Sequence, residues 1–147
     1  MKKVSSLLLA LVMVVALSSC EKEEVVGIEE IPSVGQAFLD EHFGDQTVVS
    51  VKREKESSEG GEYEVRLDNG VTVKFDKGGN WEDVDAPVNG SLPTTFILTP
   101  IVDYVEAEYP NVGINGIDKE RQGFDVELTN GVDLVFDTEG NFVRIDP

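Results

Sequence analysis

The feature that most constrains the fold of this chain is an internal repeat. Tyr63 to Asp85 aligns without gaps on Phe124 to Asp146, and ten of the 23 positions are identical. Val65, Leu67, Asn69, Gly70, Val71, Phe75, Asp76, Gly79, Asn80 and Asp85 match Val126, Leu128, Asn130, Gly131, Val132, Phe136, Asp137, Gly140, Asn141 and Asp146. The differences at apolar positions are conservative, such as Trp81 for Phe142 and Val84 for Ile145. Upstream, Phe43, Val48 and Val51 correspond to Tyr109, Ile114 and Ile117. The repeat divides the chain into a unit at 31–86, a linker at 87–91 and a second unit at 92–147.

Within each unit the period changes from helical to strand-like. Val34, Phe38 and His42 recur at helical spacing, with Leu39 and Phe43 on an adjoining stripe. Pro32 suits a first helical turn and Gly44 the C′ position. In the second unit Thr99 suits an N-cap and Pro100 the first turn. Ile101, Tyr104, Val105 and Glu108 follow at helical spacing, and Pro110 stops the run.

Strands come next. Val48 and Val51 belong to a first short one. Tyr63, Val65 and Leu67 alternate with Glu62, Glu64, Arg66 and Asp68; Val71, Val73 and Phe75 alternate with Thr72, Lys74 and Asp76. This pattern belongs to an antiparallel sheet covered on one face. Leu67 and Val71 must share the core, so they pair across the loop Asp68-Asn69-Gly70. The expected turn is type I, closed by Gly70 in a left-handed conformation with a G1 bulge. Thr129-Asn130-Gly131 repeats it. This register sets Glu64 opposite Lys74, a favourable pair, and Glu127 opposite Asp133, an unfavourable one. Trp81 and Val84 are spaced by three, so the last strand is expected to be bulged or short. The fold class is therefore α+β: two tandem α-β-β-β-β repeats forming a shared antiparallel sheet, with the helices on one face. A lone unit of this size is marginal, and sharing a core relieves that.

The chain begins with an address. Lys2 and Lys3 precede an apolar run from Val4 to Leu17. Leu17-Ser18-Ser19-Cys20 resembles the lipobox cut by lipoprotein signal peptidase. Residues 1–19 are read as a lipoprotein signal peptide, Cys20 as the lipidation site, and 20–30 as an acidic tether. Anchoring by two or three acyl chains is stable, at about 0.8 kcal/mol per buried methylene. Glu21-Lys22-Glu23-Glu24 after Cys20 resembles the surface-export signal Cys-x-Lys plus two acids of one Gram-negative phylum. The expected location is the outer membrane at the cell surface, otherwise its periplasmic side.

The order helix then four strands, with Tyr63-Glu64-Val65-Arg66-Leu67-Asp68-Asn69-Gly70 and Phe75-Asp76-Lys77-Gly78-Gly79-Asn80-Trp81, resembles the PepSY-like lipoproteins grouped with beta-lactamase-inhibitor-like proteins. The resemblance spans nearly all of Ile31 to Pro147 and includes Leu92-Pro93, with Ile31-Pro32 as a variant. It implies a concave exposed sheet face with helices behind, and inhibitors that bind an enzyme through that face. These motifs mark turns and core, and no inhibitory residue is matched. Inhibition of a beta-lactamase is therefore not carried over.

The chemistry narrows the function classes. The single cysteine, Cys20, is assigned to lipid, and the single histidine, His42, is replaced by Glu108 in the second unit. His42 is read as a core-edge or surface residue. There is no phosphate-cradling glycine loop and no basic, aromatic-laced surface. The formal charge of −17 becomes −19 once Lys2 and Lys3 are removed, which disfavours nucleic acid and anionic lipid. Neither an enzymatic role nor a cofactor is expected. Carboxylates are abundant, but small units leave little room for a pocket. The leading expectation is a non-catalytic, inhibitor-like module that binds a protein or peptide on the polar sheet face through Glu64, Arg66, Lys74, Asp125, Glu127 and Val135. The alternative is a calcium- or cation-binding structural lipoprotein using Asp76, Asn80, Asp137 and Asn141. Asp, Gly and Asn are also ordinary turn residues, and the EF-hand pattern is absent.

Overall fold

The computed structural model describes residues 23–54 and 62–147. The signal segment, Cys20 and the Ser57-Ser58-Glu59-Gly60-Gly61 loop lie outside the described residues.

One antiparallel sheet of nine strands runs through the molecule in sequence order. The strands are β1 (Glu23–Val26), β2 (Val48–Glu54), β3 (Tyr63–Leu67), β4 (Thr72–Phe75), β5 (Trp81–Asp85), β6 (Ile114–Glu120), β7 (Gly123–Leu128), β8 (Asp133–Asp137) and β9 (Phe142–Asp146). Helix α1 (Ser33–Phe43) precedes β2, and α2 (Thr99–Glu108) precedes β6.

The register explains the alternation. Val26, Val51, Val65, Val73, Val84, Ile117, Val126, Leu134 and Ile145 are opposed strand by strand. Directly opposed residues share a face, so these form one apolar row across the sheet. Leu39 and Phe43 of α1 and Ile101 and Val105 of α2 join the same core. Both helices therefore cover one face, and no described element covers the other. Among the described residues no polar or charged side chain is buried.

The two expected hairpin turns form. Gly70 N–H donates to Leu67 O (3.0 Å), Leu67 N–H donates to Val71 O (2.9 Å), and Gly70 has φ +87°. Gly131 repeats this geometry with φ +81°. The last strand of each half shows the expected bulge, as register shifts between Lys74 and Phe75 and between Val135 and Phe136.

Several expectations need correction. Glu23–Val26 lies in the segment read as a tether, yet it forms β1 on the free side of β2. Val25 and Val26 extend the sheet, and bridges from Lys52 to Glu23 (3.0 Å) and Arg53 to Glu24 (3.3 Å) hold the pair. The buried stripe of α1 is Gly35, Leu39 and Phe43, while Val34 is exposed. Gly35 decides the rotation. A Cβ there would lie 2.7 Å from Ile31 Cγ2 and 3.1 Å from Gly79 O. Bare backbone lets α1 approach the turn before β5. Gly44 caps α1 in a right-handed conformation, φ −59°, rather than a left-handed one. Leu98, not Thr99, caps α2, so Thr99 and Pro100 lie inside its first turn.

Candidate functional site

The open face of the sheet is built from two rows. The first is Lys52, Glu64, Lys74, Asp83, Asp118, Asp125, Val135 and Arg144, each opposed to the next. The second is Ser50, Arg66, Thr72, Asp85, Gly116, Glu127, Asp133 and Asp146. The six residues expected on the polar face, Glu64, Arg66, Lys74, Asp125, Glu127 and Val135, all lie in these rows. Glu64 opposes Lys74 and Glu127 opposes Asp133, as the turn register requires.

Sign separates the two halves of the face. The β2–β4 side mixes Lys52, Glu64, Arg66 and Lys74. The β5–β9 side gathers Asp83, Asp85, Asp118, Asp125, Glu127, Asp133 and Asp146, with Arg144, ion-paired to Asp146, as the cation of these rows. A shallow depression of about 280 Å³ lies among these acids. Gly116 forms part of its wall, and a Cβ there would come within 2.6 Å of an Asp85 Oδ1. The missing side chain keeps the depression open.

Like charges crowd here. Asp83 opposes Asp118 across the β5/β6 seam, and Asp118 opposes Asp125. Lys74 offsets part of this with a 2.7 Å bridge to Asp83, and that hydrogen bond holds the lysine above its ordinary value. Asp85 is pushed up to about 6, first by loss of water around it and then by the Asp83 charge and hydrogen bond. Asp118 is likewise pushed up to about 6, by loss of water and then by Asp83 and Glu120. A cationic group placed here would reverse the repulsion and favour the ionised forms.

The alternation did not single out Asp83, Asp85, Asp118 or Asp146, and Asp133 entered only as the residue opposite Glu127. The available signal was the match of Asp85 with Asp146 in the repeat. Placing Asp83 beside Asp118 required the β5–β6 pairing, which crosses the linker and α2.

The two acidic turns are internally satisfied. Asp76 Oδ1 accepts from Gly78 N–H and Asn80 N–H (both 2.8 Å), and Asn80 Nδ2 donates to Oδ2 (3.0 Å). Burial alone would raise the Asp76 pKa, but these hydrogen bonds lower it overall. Asp137 repeats the arrangement with Glu139 and Asn141, and the Asn141 side chain is the main cause of its lowered pKa. Among the described residues no three His, Cys, Asp or Glu side chains converge on a common metal position. His42 packs beside Phe38 and Phe96, with Nδ1 2.9 Å from Thr95 Oγ1. That is a core-edge position.

Comparison with known proteins gives a consistent picture. Residues 61–144 match a family provisionally described as beta-lactamase-inhibitor-like, PepSY-like. No curated protein matches. Among solved structures, a protein of Bacteroides thetaiotaomicron provisionally described as calcium-regulated and periplasmic is 34% identical, with TM-score 0.76 over 85% of this chain and 97% of that one. A provisionally assigned periplasmic protein of unknown function from Bacteroides vulgatus is 28% identical, with TM-score 0.78 over 85% and 99%. A further such periplasmic protein from Bacteroides vulgatus is 27% identical, with TM-score 0.78 over 87% and 99%.

Proposed function

The chain belongs to the PepSY-like family, provisionally described as beta-lactamase-inhibitor-like, and from that premise we propose a non-catalytic binding module whose open sheet face receives a basic segment of a protein or peptide. The two units at 31–86 and 92–147 are tandem copies that jointly build the face. Cys20 carries the lipid that holds the module on the outer membrane, with the face displayed at the cell surface. Glu64, Arg66, Lys74 and Val135 flank the contact, and Asp125 and Glu127 lie within it. The observation that carries this reading is the acidic half of a face that no described element covers. Complementary charge speeds encounter and selects partners even where it adds little affinity. The relatives described as periplasmic agree with export.

The test is calorimetric titration with an oligolysine peptide at low and moderate salt. Binding is expected to weaken as salt rises and to vanish in the Asp118→Lys, Asp125→Lys double variant. Equal binding by that variant would end the proposal. Chemical crosslinking on intact cells then identifies the natural partner. For the anchor, Cys20→Ala is expected to abolish palmitate labelling, and unchanged labelling contradicts it.

A second reading has one observation in its favour, the calcium-regulated description of the Bacteroides thetaiotaomicron relative. It assigns cation binding to the turns at Asp76, Asn80, Asp137 and Asn141. Micromolar Ca²⁺ binding lost on changing Asp76 and Asp137 to Asn would favour it over the first.

A further inference from the structure

The two edges of the sheet are unlike. β1 is four residues long, and its two acids are tied to Lys52 and Arg53 of β2. Short, charged strands are the usual protection of an edge. β9 is five residues long and exposes Phe142 (37%), Val143 (56%) and Ile145 (55%). Its counterpart in the repeat is β5, where Val84 is fully buried and β6 covers the same edge by antiparallel pairing. β9 thus presents an apolar strand edge that the first half of the molecule fills with another strand.

We propose that β9 is the contact of a two-fold homodimer, in which the edge strands of two copies pair antiparallel about Ile145. Strand alternation restricts the register. Ile145 opposes Leu134 on the helix-covered face, while Arg144 and Asp146 oppose Val135 and Asp133 on the open face. Opposed residues must share a face, so permitted registers differ by even steps. Centring the pair on Ile145 sets Ile145 against the partner's Ile145 and Arg144 against the partner's Asp146. A slide by two positions in one direction opposes Arg144 to the partner's Arg144. In the other direction it opposes Asp146 to the partner's Asp146. Only the first register matches opposite charges, and it does so twice by symmetry. In the single chain Arg144 is ion-paired with its own Asp146, so both groups are already placed along this edge. The apolar row from Val26 to Ile145 continues into the second copy. The two-fold axis then stands perpendicular to the sheet, and both acidic faces open on the same side.

Sedimentation velocity of the purified chain over a wide concentration range reads this directly. A concentration-dependent dimer is expected. Arg144→Asp and Asp146→Arg each replace two opposite-charge pairs with two like-charge pairs. Each is expected to weaken the dimer by at least about tenfold. The double variant Arg144→Asp, Asp146→Arg restores the pairing with its sense reversed and is expected to recover the dimer. Both positions are exposed, so loss of folding does not mimic the pattern, and recovery in the double variant guards against it. A chain that stays monomeric throughout, or a dimer indifferent to both single reversals, overturns the proposal.

Discussion

On the helix-covered face, Val51, Val65, Val73 and Val84 continue into Ile117, Val126, Leu134 and Ile145, one apolar row across both halves. On the open face the next row passes from Lys52, Glu64 and Lys74 to Asp83, Asp118 and Asp125. The inner row lies between sheet and helices, where an unpaired polar group is costly. The outer row meets water, which tolerates either sign. The two halves therefore agree where packing decides and diverge where it does not. A second contrast lies within the inner row itself. Val84 is fully buried, whereas Ile145, its counterpart, is 55% exposed, because β6 covers one edge and no described strand covers the other.

The largest effect should test whether the halves share one core. Phe75 and Phe136 are equivalent and both fully buried. Phe75→Ala and Phe136→Ala are each expected to cost about 3–5 kcal/mol. Each should shift a single urea transition seen by fluorescence and circular dichroism alike. Two separable transitions would mean that the halves fold independently.

The next effect concerns the edge. Val84→Ala is expected to cost roughly 2 kcal/mol. Ile145→Ala, measured at concentrations where the chain is monomeric, should cost no more than about 0.5 kcal/mol. Equal losses would show that Ile145 is covered in solution by something other than a second copy.

The turns offer a finer comparison. Gly70 and Gly131 adopt the same left-handed conformation, so alanine at either costs about 1–2 kcal/mol. A Cβ on Gly70 also lies 3.3 Å from Pro87 carbons, whereas one on Gly131 meets nothing within 4 Å. Gly70→Ala should therefore be the more damaging of the two in chemical denaturation. The reverse order would contradict the close approach of the linker to this turn.

The smallest effect is a pH dependence confined to the acidic half. Asp85 and Asp118 titrate near 6 in the folded chain, above the ordinary carboxylate range of about 4. Between those values the folded state holds more protons than the unfolded state. The stability these groups contribute is thus complete below about pH 4 and lost as pH rises through about 6. Asp118→Asn should flatten that part of the profile. Oligolysine binding should move the other way and strengthen from pH 5 to about pH 7, because it requires ionised acids.

Much of this was legible in the residues. Leu67, Asn69, Gly70 and Val71 specify their hairpin because a core-facing pair and a left-handed glycine leave one loop length. Glu64 opposite Lys74 follows from that register. The spacing of Trp81 and Val84 reveals the bulge because it breaks a two-residue alternation. Val34 misled, since helical spacing cannot tell two adjoining stripes apart. The contact of Gly35 with the turn at Gly79 made that choice. β1 was hidden for a different reason: Glu23-Glu24-Val25-Val26 is too short and too charged to announce a strand, and it becomes one by pairing with β2.

The sequence by itself determined the helix-and-strand order from Ile31 onward, both hairpin turns and which strand face is apolar. These depend on contacts within a few residues and on side-chain periodicity. Only the tertiary structure decided that β5 lies against β6, that Asp83 meets Asp118, and that β6 covers β5 while no described strand covers β9. Those relations join residues far apart in the chain, and their strength comes from the shared core that brings them together.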